Sequence, residues 1–405
     1  LHAVWVAPLT EETASVTALV PSLLRRGAKR WPDWRHMEMR LEELYGAVFR
    51  AAVEKVGDLQ ILSCHLEIPD GRFLPGRPDT LSEGIDFLNH VMSSPYLVDG
   101  VFPRAVVDQE KETLTRRIHG MINDKAQYAT LRLMQVMADG RPFGLSRLGR
   151  VEDVAAITPA SVTARYQEVS RQAPLLVFGV GALDGQMLDQ VIRETWAPRP
   201  PGSRIPAIAQ VTAQHSRHLQ VEEQDVQQGK LNLGYTTGPR LPDPDYPALM
   251  MYAGVLGGFP HSKLFVNVRE RASLAYYAYA RVDGALGVMQ IGAGIEFKDF
   301  PAAVEIIERQ VRDMADGRIS EQEMEFTRRG YVNSLKTTED APGSLIGLEM
   351  QRQLLGGGLL PPDLIPALER VSVDDIRRVA QTIALDSVYF LTAKGEGHDV
   401  RLPLS

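Results

Sequence analysis

Apolar positions change their period repeatedly along the chain, and each change marks an element. Residues 3–7, AVWVA, form an unbroken apolar run that predicts a strand. Beyond Pro8 the spacing turns helical: Val16, Leu19, Val20, Leu23 and Leu24 share one face, and the pattern stops at Gly27. Pro21 lies inside that pattern, lacks a backbone donor and is expected to kink or divide the helix. A second helix, about 33–45, ends at Leu44-Tyr45-Gly46. Alternating stretches at 47–56 and 59–68 flank Gly57-Asp58, which is a hairpin signal. Helical spacing returns over 80–93 and over 103–137, with a break near Asn123-Asp124. Thr158-Pro159 opens another helix with proline in its first turn. The run 175–183, LLVFGVGAL, reads as a buried strand.

A stretch with four prolines, APRPPGSRIPAIAQ (197–210), then interrupts the pattern and is the best domain boundary in the chain. After it come strands near 217–223 and 229–236, a helix at 244–256, and strands at 276–282 and 286–295. Helices at 299–316 and 320–337, a loop at 355–362, a helix from Ser372 and a strand at 387–393 complete the series. ITPASVTARYQ (157–167) followed by LLVFGVGA parallels VSVDDIRRVAQ (371–381) followed by VYFLTAKG. This predicts a two-copy duplication of class α+β, each copy an antiparallel-rich sheet with packed helices. The expected division is 1–196, a linker at 197–214, and 215–405.

Composition narrows the function. The 405 residues exceed one ordinary core, and 44% hydrophobic with 23% charged residues is an ordinary globular balance. A net charge of −7 provides no footprint for nucleic acid or an anionic membrane. The single cysteine, Cys64, excludes an intrachain disulfide and a cysteine-based zinc cluster, and points to a reducing, cytoplasmic compartment. No apolar run has the length of a membrane span and no signal-peptide pattern opens the chain. Starting at Leu1 rather than Met, the chain is expected to lack some N-terminal residues.

Chemistry concentrates in 256–279, LGGFPHSKLFVNVRERASLAYYAY: a glycine turn, an amphipathic helix, a short loop, and a strand carrying Tyr276 and Tyr279. Arg269 closes the helix and Tyr276 opens the strand seven residues on, so both can point into one space as donors to a developing oxyanion. Arg269 is otherwise a solvated cap, and Tyr276 a core residue. His215 and His218 stand three apart in a predicted strand, on opposite faces, and His36, His65, His90, His119, His261 and His398 are scattered. Ser22 has no sequence neighbour to activate it as a nucleophile, and Leu354 to Gly358 lacks the Lys-Ser/Thr ending of a phosphate loop.

Gly257-Gly258, Ser262-Lys263-Leu264-Phe265 and Arg269-Glu270 through Leu274-Ala275-Tyr276 resemble the insulinase/pitrilysin metallopeptidase family, in its mitochondrial-processing-peptidase-like branch. The resemblance covers most of the chain. PLTEET, LLRRG and LYGA near the start resemble a bacterial cytosolic branch of non-catalytic subunits. The family's His-x-x-Glu-His motif would fall on the first long helix, where Ala18, Pro21 and Ser22 stand instead. Its third ligand would follow Glu110 by seven residues, at Arg117. The resemblance therefore implies no metal in this chain, with zinc held by a homologous partner subunit in a heterodimer. Arg269 and Tyr276 would act in trans at that zinc, Gly257, Gly258 and Ser262 would contact peptide substrate, and extended peptide would pair with an edge strand. A scaffold without hydrolytic role, or a peptide-binding homodimer, is the alternative.

Overall fold

The computed structural model describes residues 1–196, 203–213, 217–397 and 400–403. Within the expected linker, residues 197–202 and 214 therefore lie outside the described residues, as do His215 and His398. Contacts divide the chain into two compact units, one made of Leu1–Gly120 with Leu145–Pro206, the other of Met121–Gly144 with everything from Ala207 onward.

In chain order the first part holds β1 (His2–Pro8), α1 (Ala14–Leu24), α2 (Trp34–Glu43), β2 (Val48–Val56), β3 (Leu59–Glu67) and α3 (Thr80–Ser93). Then follow α4 (Arg104–Asn123), α5 (Lys125–Ala138), α6 (Val151–Ala156), α7 (Pro159–Gln172), β4 (Leu175–Phe178) and α8 (Gly185–Thr195). The antiparallel sheet has the order β2-β3-β1-β4. Its central strands β1 and β3 are buried along most of their length, which explains their near-continuous apolar runs. Gly57, at φ +59°, makes the β2–β3 turn in a region that disfavours side chains.

Two expectations are corrected here. Pro21 does not divide α1, which runs on to Leu24 with the Arg25 amide bonded to the Pro21 carbonyl at 3.2 Å. Burial of Leu19, Val20, Leu23 and Leu24 holds the turn that lacks one hydrogen bond. The apolar run 175–183 is not a buried strand throughout. Only Leu175–Phe178 pairs, as a half-buried edge strand beside β1, and the chain leaves the sheet at Gly179, with Gly181 at φ +150°. Helices α6 and α8 were not expected from the pattern.

The second part contains β5 (His218–Gln224), β6 (Gly229–Thr236), α9 (Tyr246–Ala253), β7 (Ala275–Asp283), β8 (Val288–Ile295), α10 (Phe300–Ala315) and α11 (Glu321–Glu339). It ends with α12 (Pro342–Leu355), α13 (Pro361–Arg370), α14 (Val373–Ala380) and β9 (Ala384–Ala393). Helices α12 and α13 were also unexpected. As the sequence predicts, 354–358 is a structural turn: α12 stops at Gly356, φ +71°. The sheet order is β5-β9-β6-β8-β7, antiparallel except for the β5–β9 pair. Without β5, this repeats the order of the first sheet with β6, β7, β8 and β9 in the places of β1, β2, β3 and β4. The α+β duplication is thus visible in topology.

One face of the second sheet, with Leu231, Leu233, Ile291 and Phe390, packs on Leu249, Val304, Ile307 and Ile376 from α9, α10 and α14. The other face receives α5. Asp124 ends α4 and caps α5 by accepting from the Ala126 and Gln127 amides, which fixes the predicted break. Gly234 leaves room for α5, since a Cβ there would lie 2.2 Å from Met137 Sδ. Glu222 on β5 accepts hydrogen bonds from Tyr128 (2.7 Å), Arg132 (2.9 Å), Gln224 (2.7 Å) and Tyr389 (2.9 Å). Burial alone would raise its carboxyl, but these donors and the Arg132 charge outweigh it and hold the group below its usual range.

Glu222→Gln is expected to destabilise the chain by about 1–3 kcal/mol at neutral pH in urea unfolding, because the tyrosine and arginine donors lose their charged acceptor. The depressed folded-state value means that Glu222 contributes above the unfolded carboxylate range and loses its contribution as pH falls through the folded value. The variant should therefore show a flatter acid limb, and equal stability of both proteins at neutral pH would remove the latch.

Candidate functional site

The candidate site is built on the return from α9 to β7. After Ala253 the helix widens to π winding over Gly254–Gly258, and after Ser262 a second wound segment closes as a π-helix over Phe265–Arg271. Its last bonds run from the Ala272 amide to the Asn267 carbonyl (3.3 Å) and from the Leu274 amide to the Val268 carbonyl (3.0 Å). The expected glycine turn followed by an ordinary α-helix is corrected accordingly. Gly257 belongs to the widened helical end and lies against β7, where a Cβ would sit 2.3 Å from the Ala280 amide nitrogen. No side chain fits between these backbones.

The wound segment is fastened at several points. Lys263 pairs with Glu323 of α11 at 2.9 Å, and Asn267 donates to Gln310 of α10 at 2.9 Å. Ser262 is fully buried, and among the described residues its Oγ has no hydrogen-bond partner. Gly257 and Ser262, expected to touch substrate, thus have packing positions, because both are enclosed by their neighbours. Of the three residues only Gly258 is exposed.

Arg269 stands at the end of the wound segment, exposed, with its guanidinium 4.6 Å over the Phe265 ring. The i,i+4 spacing of Phe265 and Arg269 is a sequence signal that went unused. Ser273 then turns the chain at φ +53° into β7. The β7–β8 register slips between Ala275, opposite Ile295, and Tyr277, opposite Gly294. Tyr276 falls in this bulge, has no register partner, and is 76% exposed. It is not a core residue. Among the described residues Arg269 and Tyr276 have no hydrogen-bond or ion-pair partner, and β7 pairs only with β8.

Behind Tyr276, Tyr277 and Tyr279 stack at 6.0 Å on the other sheet face. Gly294 and Gly292 of β8 make room, since a Cβ on either would approach the tyrosine rings within 2.6 Å. Lys230 lies 5.6 Å over Tyr277 and Arg281 4.8 Å over Tyr279. Burial, reinforced by Tyr279, pushes the Tyr277 hydroxyl up to about 12, so it stays a neutral donor. The alternating glycines of β8 opposite two tyrosines are the signal that would have found this platform.

In the first unit, Ala18 and Pro21 of α1 are buried, Ser22 is half-buried and Arg117 of α4 is exposed. A methyl, a donorless ring, a hydroxyl and a cation form no zinc ligand set. Glu110 is buried and committed to Arg26. Among the described residues no three His, Cys, Asp or Glu side chains cluster to hold a metal. His36 contacts Asp33, His65 contacts His2 and Glu67, and His261 contacts Thr327.

Comparison with known proteins agrees with this arrangement. A probable inactive metalloprotease, YmfF of Bacillus subtilis (strain 168), is 34% identical over 95% of this chain and 91% of its own length. The chain belongs to the M16 peptidase family. The family description "Peptidase M16 inactive domain" matches residues 156–331. A conserved protein from Enterococcus faecalis V583 superposes with a TM-score of 0.90 at 28% identity, covering 97% of this chain and 93% of that one. A protease from Helicobacter pylori shares the fold at a TM-score of 0.77 and 15% identity, covering 96% and 94%. This M16 chain carries the two-copy α+β architecture.

The two glycines separate packing from exposure. Gly257→Ala is expected to cost about 1–3 kcal/mol by overpacking against β7. Gly258→Ala, whose Cβ would meet nothing closer than 3.5 Å, should stay within about 0.5 kcal/mol of the parent. Equal melting curves for the two variants would contradict the close approach.

Proposed function

We propose that this chain is the non-catalytic subunit of a heterodimeric zinc metallopeptidase and donates Arg269 and Tyr276 in trans. The carrying observation is the contrast between the two units. Arg269 and Tyr276 stand exposed on a fastened frame, with no hydrogen-bond or ion-pair partner among the described residues, while Ala18, Pro21, Ser22 and Arg117 stand where the family resemblance would put metal ligands and base. A guanidinium and a phenol beside an extended peptide can orient the scissile carbonyl and stabilise its oxyanion once a second subunit supplies the zinc. Peptide pairing along the free edge of β7 would bring that carbonyl to Tyr276, which the bulge turns out of the ladder. In this reading the chain itself needs no cofactor. The partner is a homologous subunit bearing His-x-x-Glu-His, the substrate a peptide, and the compartment the cytoplasm, which suits a lone buried thiol.

Zinc content and peptide hydrolysis should be measured for this chain alone and mixed with a His-x-x-Glu-His homologue from the same genome. Activity is expected only in the mixture. Arg269→Ala and Tyr276→Phe should each lower turnover of the assembled complex at least tenfold, with complex formation and melting curves intact. Unchanged turnover would sink the donor role, and absence of any complex would leave a scaffold.

A further inference from the structure

A cavity of about 770 Å³ opens in the first unit, between α3, α7, the end of α8 and β1. It shares no residue with the Arg269–Tyr276 motif. Its apolar wall includes Trp5, Tyr166 and Trp196. Trp5 and Tyr166 meet edge to face at 6.2 Å, and the Tyr166 hydroxyl is held by the Met92 carbonyl at 2.9 Å, so these rings form a fixed surface.

The charge on the rim is one-sided. Among the described residues Lys29 and Arg171 line the cavity, and no Asp or Glu does. Neither cationic side chain has a hydrogen-bond or ion-pair partner among the described residues. Three other arginines of the same unit, by contrast, are committed: Arg26 to Glu110, Arg30 to Asp86 and Arg165 to Glu168. Two uncommitted cations beside an aromatic wall, in a space of small-molecule size, complement an anion with an apolar body. A carboxylate fits best, since it can accept two parallel bonds from a guanidinium and a third from an ammonium. The uncommitted amides of Asn89 and Gln167 add neutral donors at the same cavity.

We propose that this cavity is a binding site for a carboxylate carrying an aromatic or branched aliphatic group, either a free small acid or the C-terminal residue of a peptide. Lys29 and Arg171 take the carboxylate, and the rings of Trp5 and Trp196 take the apolar body.

The test is calorimetric titration of the full chain with 4-phenylbutyrate and with its neutral analogue 4-phenylbutanol, each repeated on Lys29→Gln and Arg171→Gln. Saturable one-site binding of the acid is expected, with the alcohol at least tenfold weaker. Each variant should lose at least fivefold in affinity while its melting curve matches the parent. A tripeptide ending in phenylalanine, as free acid and as amide, separates the sources. Tighter binding of the free-acid peptide than of phenylbutyrate assigns the site to peptide C-termini, and weaker binding assigns it to free small acids. No binding of any acid at millimolar concentration would overturn the proposal. So would equal affinity for acid and alcohol, or both variants binding like the parent.

Discussion

The contact on which the site depends is the approach of two backbones, Gly257 in the widened end of a helix and Ala280 in β7. A side chain of any size at position 257 would push these elements apart. The winding that precedes the Arg269 segment is thereby tied to the strand carrying Tyr276. Lys263 to Glu323 and Asn267 to Gln310 then fix the same segment to the helices behind it. The π winding follows from this geometry: the helix must present a glycine to the strand and still reach its anchors, and the wider turn accommodates both. Arg269 and Tyr276 are left exposed on this fastened base.

In the first unit, α1 and α4 are held by apolar packing and by a buried ion pair. Ala18 and Pro21 contribute to the packing of α1, where polar ligands would demand partners of their own. A buried carboxylate survives at Glu110, and the Arg26 guanidinium satisfies it, since an unpaired charge there would be costly. The duplicated strand order persists in both sheets.

Much of the fold was legible because local signals agree with it. The β2–β3 hairpin needed only Gly57, and the break between α4 and α5 needed only Asp124 as a cap. The placement of Arg269 near a helical end and of Tyr276 near the start of a strand was legible too. Three things were not. Pattern alone cannot distinguish an α from a π turn, because both bury the same apolar residues Val255, Leu264 and Val268. Nor can it tell exposed glycines from packed ones, so Gly257 and Gly258 read alike. Nor does the apolar stripe of α5 say which sheet it will cover: Leu133 and Met137 would suit either, and the opposing Gly234 and Glu222 show the match.

That last feature bears on how the chain is made. The polypeptide passes from one unit to the other three times, after Gly120, after Gly144 and after Pro206. During N-to-C synthesis, α5 leaves the ribosome well before β5, β6 and β9, the strands that receive it, have been translated. Its apolar stripe must wait, and the Glu222 carboxylate that will anchor it arrives some 90 residues later. The two units are thus sequential in translation but interleaved in folding, and the second cannot be completed from the sequence beyond the prolines alone.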